Sequence, residues 1–137
     1  MTLVVDASVA LKWVLDETES DLAAGLLTQD LIAPSLWLIE AANALWRRAQ
    51  QGQLTSTEVT ERLVELLNAP VASTAVDGDL LAAAELALEL GHPIYDCLYL
   101  AMAIREGAVV VTADRRFRDA VDRSPTRKGL VRLLSDI

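Results

Sequence analysis

Four apolar runs in this chain each carry one acidic residue, and that pattern constrains the fold more than any other feature. Asp6 closes Leu3-Val4-Val5. Glu40 stands between Leu36-Trp37-Leu38-Ile39 and Ala41-Ala42. Asp96 lies between Pro93-Ile94-Tyr95 and Cys97-Leu98-Tyr99-Leu100, and Asp114 closes Val109-Val110-Val111-Thr112-Ala113. Short apolar runs of this kind become buried strands and core helices, so three or all four of the acids are expected to be buried. Stripping water from an isolated carboxylate costs several kcal/mol unless something positive replaces the water. No Lys or Arg lies within three positions of Asp6, Glu40 or Asp96, and only Asp114 has such neighbours, Arg115 and Arg116. The simplest compensator is a divalent cation shared by the acids, which requires a fold that brings them together.

Composition narrows the ion. With one His and one Cys in 137 residues, a His/Cys zinc site is nearly excluded. A site built from oxygen favours Mg²⁺ or Mn²⁺. The lone thiol, Cys97, has no internal disulfide partner and fits a reducing cytoplasm. No apolar stretch reaches the roughly 18 to 20 residues that cross a bilayer, and the opening residues lack the basic and small-residue features of a signal peptide. Length suggests a single domain over residues 1–137, and at 53% hydrophobic residues the chain can build a real core. Net charge is −8, an unpromising value for a nucleic-acid binder, but it is unevenly spread. Residues 1–100 hold 15 acids and 4 bases, whereas residues 101–137 hold 5 acids and 8 bases. A local basic patch can bind phosphate on an acidic protein, although a solvated mixed-charge surface gives the same composition.

Strand and helix patterns alternate. Strands are expected at Thr2–Asp6, Leu31–Ala33, Val71–Thr74, Ala108–Thr112 and Leu130–Leu133. Helices are expected over Ala7–Leu15, Asp21–Leu27, from Ser35 as cap to Gln51, from a Thr55/Glu58 capping box to Asn68, from Asp77 as cap to Leu90, over Ile94–Glu106, and over Arg115–Val121. The helix from Ile94 is apolar nearly all round and should be buried. The alternation predicts an α/β fold, a three-layer α/β/α sandwich around a small, mostly parallel sheet. Asp6 and Asp114 then follow two strands whose carboxyl ends share one sheet edge, where open α/β folds bind ligands. Glu40, Asn43 and Arg47 lie three and four residues apart, on one helix face. Each acid also has a plain reading: Asp6 and Asp114 as helix N-caps, Glu40 as part of a half-exposed face.

These blocks, in this order and at these spacings, resemble the PIN-domain ribonucleases, and more closely the VapC-type toxins of toxin–antitoxin pairs. The likeness rests on Val4-Val5-Asp6-Ala7-Ser8-Val9, Ala33-Pro34-Ser35-Leu36-Trp37-Leu38-Ile39-Glu40-Ala41-Ala42-Asn43, Pro93-Ile94-Tyr95-Asp96-Cys97-Leu98-Tyr99 and Val111-Thr112-Ala113-Asp114-Arg115-Arg116-Phe117, and extends over essentially the whole chain. The resemblance implies a PIN-like fold and an Mg²⁺- or Mn²⁺-dependent endoribonuclease. Its catalytic quartet would be Asp6, Glu40, Asp96 and Asp114. Asp6, Asp96 and Asp114 would bind the metal directly and Glu40 directly or through water, while a metal-activated water attacks the phosphodiester. It gives Ser8, Asn43 and Thr112 supporting roles and implies a cognate antitoxin and a homodimer, with the helices at about 35–51 and 55–68 contributing partner contacts. Arg47, Arg115 and Arg116 are the candidate RNA contacts. Trp13, Trp37 and Trp46 suit the core or an interface better than base stacking, and His92 is read as a loop residue.

Rival chemistries fare worse on the same residues. A haloacid-dehalogenase-type phosphatase needs a second Asp where Ser8 stands, and a receiver domain needs an acidic pair after the first strand. A catalytically silent PIN-like binding module, or a PIN nuclease that is not a toxin, retains the fold and changes only the activity or its context.

Overall fold

A computed structural model describes residues 1–137. Five strands form one sheet: β1 (Thr2–Val5), β2 (Asp30–Pro34), β3 (Val71–Thr74), β4 (Val109–Thr112) and β5 (Val131–Leu133). The order across the sheet is β3-β2-β1-β4-β5, and every neighbouring pair is parallel. Parallel strands need crossover connections, which seven helices supply: α1 (Ala7–Ala10), α2 (Ser20–Gly25), α3 (Leu36–Gln50), α4 (Ser56–Leu67), α5 (Leu80–Leu90), α6 (Ile94–Glu106) and α7 (Arg115–Asp122). The chain lays β2 and β3 on one side of β1, then returns to place β4 and β5 on the other. The order therefore reverses between β1 and β4, and the crevice beyond their carboxyl ends is the ligand position such folds favour.

The core explains why these segments pack as they do. Val4, Val5, Val110 and Val111 are fully buried in the two central strands. Helix α6 lies against β1, β2 and β4, and seven consecutive residues of it, Cys97–Ala103, are buried. Its two ends are less apolar in setting than expected, since Tyr95 and Ile104 are exposed. Cys97 is fully buried and burial pushes its thiol up to about 11, so it behaves as a small apolar side chain. Trp37 fills the core and donates its indole N–H to Ser73 Oγ at 2.9 Å. Trp13 is half-buried, with its N–H on the Ala23 carbonyl, and Trp46 is exposed. Helix α6 stops at Gly107, whose φ of 63° is a left-handed cap conformation natural to glycine.

Three local expectations are corrected. The first helix ends at Ala10 and tightens into a 3-10 turn over Leu11–Trp13 instead of continuing to Leu15. Ser35 holds the cap position of α3 without a side-chain hydrogen bond. Its backbone is helical rather than extended, which aims the hydroxyl away from the free amides, and its own N–H bonds Thr74 O. Asp77 does not cap α5. A 3-10 turn over Asp77–Asp79 intervenes, and the buried Asp79 carboxylate is held by Arg105 through two hydrogen bonds of 2.8 and 2.9 Å. The Thr55/Glu58 capping box of α4 forms as expected, with both reciprocal bonds present.

Candidate active site

Each of the four acids reaches the same crevice from a different element. Asp6 directly follows β1 and Asp114 follows β4 after one intervening residue; the register Val5↔Val111 sets these strand ends side by side. Both acids also cap helices: Asp6 Oδ1 accepts from Val9 N at 3.3 Å and Asp114 Oδ1 from Arg116 N at 2.9 Å. Capping and convergence are thus the same arrangement, because a helix starting at a strand end turns its N-terminal residue towards the crevice. Glu40 comes from the second turn of α3 and Asp96 from the first turn of α6. All four line one cavity of about 110 Å³ together with Ala7, Ser8 and Tyr99.

The expectation that three or four of the acids would be buried is wrong. Only Asp6 is buried, at 6% exposure, while Glu40, Asp96 and Asp114 are half-buried along the cavity wall. Apolar neighbours in sequence do not cover a side chain that sits at the rim of a sheet edge. The electrostatic result still follows. Burial raises the Asp6 carboxyl to about 6, against the pull of hydrogen bonds from Ser8, Thr112 and Val9, and the Asp96 charge adds to the rise. Glu40 is raised as well, by burial first, with Asp96 also contributing and the Tyr99 hydrogen bond opposing. Asp6, Glu40 and Asp96 thus share one field of like charge.

Every carboxylate is anchored through one side-chain oxygen, and each anchor is specific. Ser8 Oγ donates to Asp6 Oδ1 and accepts from Ala113 N at 3.0 Å, tying the end of β1 to the segment after β4. Thr112, fully buried, acts in parallel on the other strand end: its hydroxyl accepts from Asp114 N at 3.0 Å, and its proximity helps to hold the Asp6 carboxyl down against the rise that burial imposes. Tyr99 OH donates to Glu40 Oε1 at 2.6 Å. Burial and the adjacent Glu40 charge push that phenol far above its ordinary value, so it stays a donor at any physiological pH. His92 Nε2 meets Asp96 Oδ2 at 2.6 Å, and the imidazole stacks on Phe117 with ring centroids 5.2 Å apart. The second oxygens of Glu40, Asp96 and Asp114 make no protein hydrogen bond. No Lys or Arg forms an ion pair with any of the four.

That donor set fits a hard divalent cation: oxygen only, excess negative charge, and one anchored oxygen on each acid. It is not a preformed cage, since no group of three or more His, Cys, Asp or Glu side chains is spaced to hold an ion by itself. Magnesium dehydrates reluctantly and binds through one or two carboxylates and several waters, a mode that an open cavity suits better than a tight one.

The remaining expected residues divide. Ser8 and Thr112 join the acids. Asn43 and Arg47 make no hydrogen bond or ion pair with them and line an adjoining cavity whose wall includes Glu40. Arg115 and Arg116 are exposed at the head of α7, free of carboxylate partners. Sequence reasoning missed Tyr99 and undervalued His92. The His92/Asp96 spacing of four offered a signal, but His92 precedes Pro93 and lies outside α6. Tyr99 lies 59 residues from Glu40, and no local pattern could have paired them.

The family model described as PIN domain matches residues 3–122. Ribonuclease VapC3 of Pyrobaculum aerophilum is 32% identical over 123 residues, which cover 87% of this chain and 94% of that protein. Among solved structures, PAE2754 of Pyrobaculum aerophilum superposes with a TM-score of 0.73 at 24% identity, covering 99% of this chain and 85% of that one. VapBC2 of Rickettsia felis, bound to a DNA fragment from their promoter, gives 0.65 at 15% identity over 97% of this chain and 98% of that one. At those identities the two structures speak for the fold alone, an α/β arrangement with a parallel central sheet.

Proposed function

This chain belongs to the PIN-domain family, and from that premise we propose that it is a divalent-metal-dependent endoribonuclease, the toxin of a VapBC-like toxin–antitoxin pair. One observation carries the reading. Four carboxylates with no Lys or Arg partner line one cavity at the point where the strand order reverses. The 32% identity to a ribonuclease supports RNA as the substrate.

Asp6, Asp96 and Asp114 would hold Mg²⁺ or Mn²⁺, with Glu40 bound directly or through a water. Such an ion supplies an acidified water and neutralises phosphate charge. The chain's own groups do the positioning. Ser8 fixes Asp6, and Ser8 and Thr112 together fix the turn that carries Asp114. Tyr99 holds Glu40 by one oxygen and leaves the other towards the cavity. His92, braced by Phe117, does the same for Asp96. Arg115 and Arg116, free of ion pairs at an N-terminus where anions are favoured, are suited to phosphates on either side of the cut. Purified protein should cleave RNA with Mg²⁺ or Mn²⁺, leaving 5′-phosphate and 3′-hydroxyl ends, and should be inert in chelator. Cleavage unchanged by chelator would refute the assignment.

A nuclease of this kind requires restraint, so we assign it an antitoxin that covers the cavity and sets an Arg or Lys against the acids. Failure of the co-expressed neighbouring gene product to inhibit cleavage would remove that assignment. A second copy of the chain should cover the exposed Trp46, Val64 and Leu67 on α3 and α4. Trp46→Glu with Leu67→Glu is expected to convert a dimer to a monomer in sedimentation; a wild-type monomer would count against it. No helix is long and apolar enough to cross a membrane, and the inert buried Cys97 suits the cytoplasm in which we place the protein.

A further inference from the structure

The cavity next to the acidic one has no part in the chemistry above. It measures about 380 Å³ and is lined by Leu36, Ile39, Glu40, Asn43, Arg47 and Tyr95. The first five recur along α3 at helical spacing, so they present one face. Tyr95 comes from the first turn of α6, immediately before Asp96. Glu40 lines both cavities, so the two adjoin.

We infer that this second cavity receives one unstacked nucleobase of single-stranded RNA, from a nucleotide flanking the phosphate that is cut; the inference rests on the ribonuclease reading. The lining is what such a base requires. Unpaired bases are recognised by stacking on exposed aromatic rings and by hydrogen bonds to their polar edges. Tyr95 is 63% exposed, so its ring and hydroxyl are open to a ligand. Leu36 and Ile39 supply apolar surface. Asn43 is exposed and carries both an amide donor and a carbonyl acceptor. Arg47 is exposed without a carboxylate partner, whereas its neighbour Arg48 is engaged by Glu17 at 2.6 Å. Of two adjacent cations, the one facing the cavity is the one left free. A phosphodiester seated against the acids has a nucleoside attached on either side, and a base that leaves the stack meets this cavity first. An apolar peptide could use Leu36 and Ile39, but it would leave the amide and guanidinium without purpose beside a phosphate-handling site.

The test is an abasic scan. A short RNA that wild-type protein cuts at one bond is remade with a single abasic nucleotide at each position around that bond. Binding is measured in the cleavage-silent Asp96→Asn background and kcat/KM in the active protein with Mg²⁺. One flanking position should cost about tenfold when its base is removed, on the scale of one stacking contact. In Tyr95→Ala the intact RNA should lose a similar factor, and the abasic substitution at that position should then cost nothing more. Tyr95→Trp should restore the difference. Ile39→Asp, a second exposed wall position, should reproduce Tyr95→Ala if that variant folds poorly. Independent, multiplicative losses, or no sensitive position, would overturn the inference while leaving the nuclease reading intact. So would a Tyr95→Ala protein that cuts normally and loses only antitoxin binding, which would mark the cavity as a protein groove. Wild-type protein that cuts no RNA with either metal would overturn both.

Discussion

Asp96→Asn should slow RNA cleavage by at least about a hundredfold and leave the metal-free protein no less stable than wild type. The lower bound follows from metal sites generally, where losing even an outer partner of a ligand costs about 10- to 100-fold. The stability half follows from the local field. The Asp96 charge raises both Asp6 and Glu40, so a neutral isostere relieves repulsion while keeping a hydrogen bond to His92. Thermal unfolding in chelator should give an equal or higher midpoint, and circular dichroism an unchanged fold. An acid present only to support structure would act in the opposite sense, lowering the midpoint and sparing the rate. Retention of full activity would exclude Asp96 from the chemistry.

Asp6→Asn should show the largest exchange between stability and function. Buried in the folded chain, Asp6 holds its proton up to about pH 6, against an ordinary value of 3.8. The native state therefore binds more protons than the unfolded state between these values, and stability falls as pH rises through that window. The difference corresponds to about 3 kcal/mol, fully expressed above pH 6 and absent below about pH 4. Asp6→Asn removes the titration and keeps an acceptor for the Val9 amide. Denaturant unfolding in chelator should find the variant more stable by up to that amount at neutral pH and equal to wild type near pH 4. With saturating Mg²⁺ the order should reverse, because only the wild type gains from binding an ion to the native state, and cleavage by the variant should be lost. A variant less stable than wild type in chelator at neutral pH would show that the Asp6 charge is already compensated within the protein.

Sequence determined the elements and their order, because periodicity and capping are local. Short apolar runs marked all five strands, and the Thr55/Glu58 pair opened α4. It also identified four acids in apolar runs, three of them without a neighbouring base, since charge and spacing can be read along a chain. Where a competing contact lay far away, local reading failed. Ser35 gave its N–H to Thr74, and the expected Asp77 cap gave way to a 3-10 turn whose last residue, Asp79, is tied to Arg105; neither partner is near in sequence.

Only the tertiary structure decided what the acids experience. Reversal of strand order between β1 and β4 sets Asp6 beside Asp114, and packing of α6 against the sheet brings Tyr99 to Glu40. Burial is a property of neighbours in space, so four similar sequence contexts gave one buried carboxylate and three at the cavity wall. The cavity that seats Tyr95, Asn43 and Arg47 has the same origin: helical spacing placed α3's residues on one face, and only the approach of α6 made that face concave.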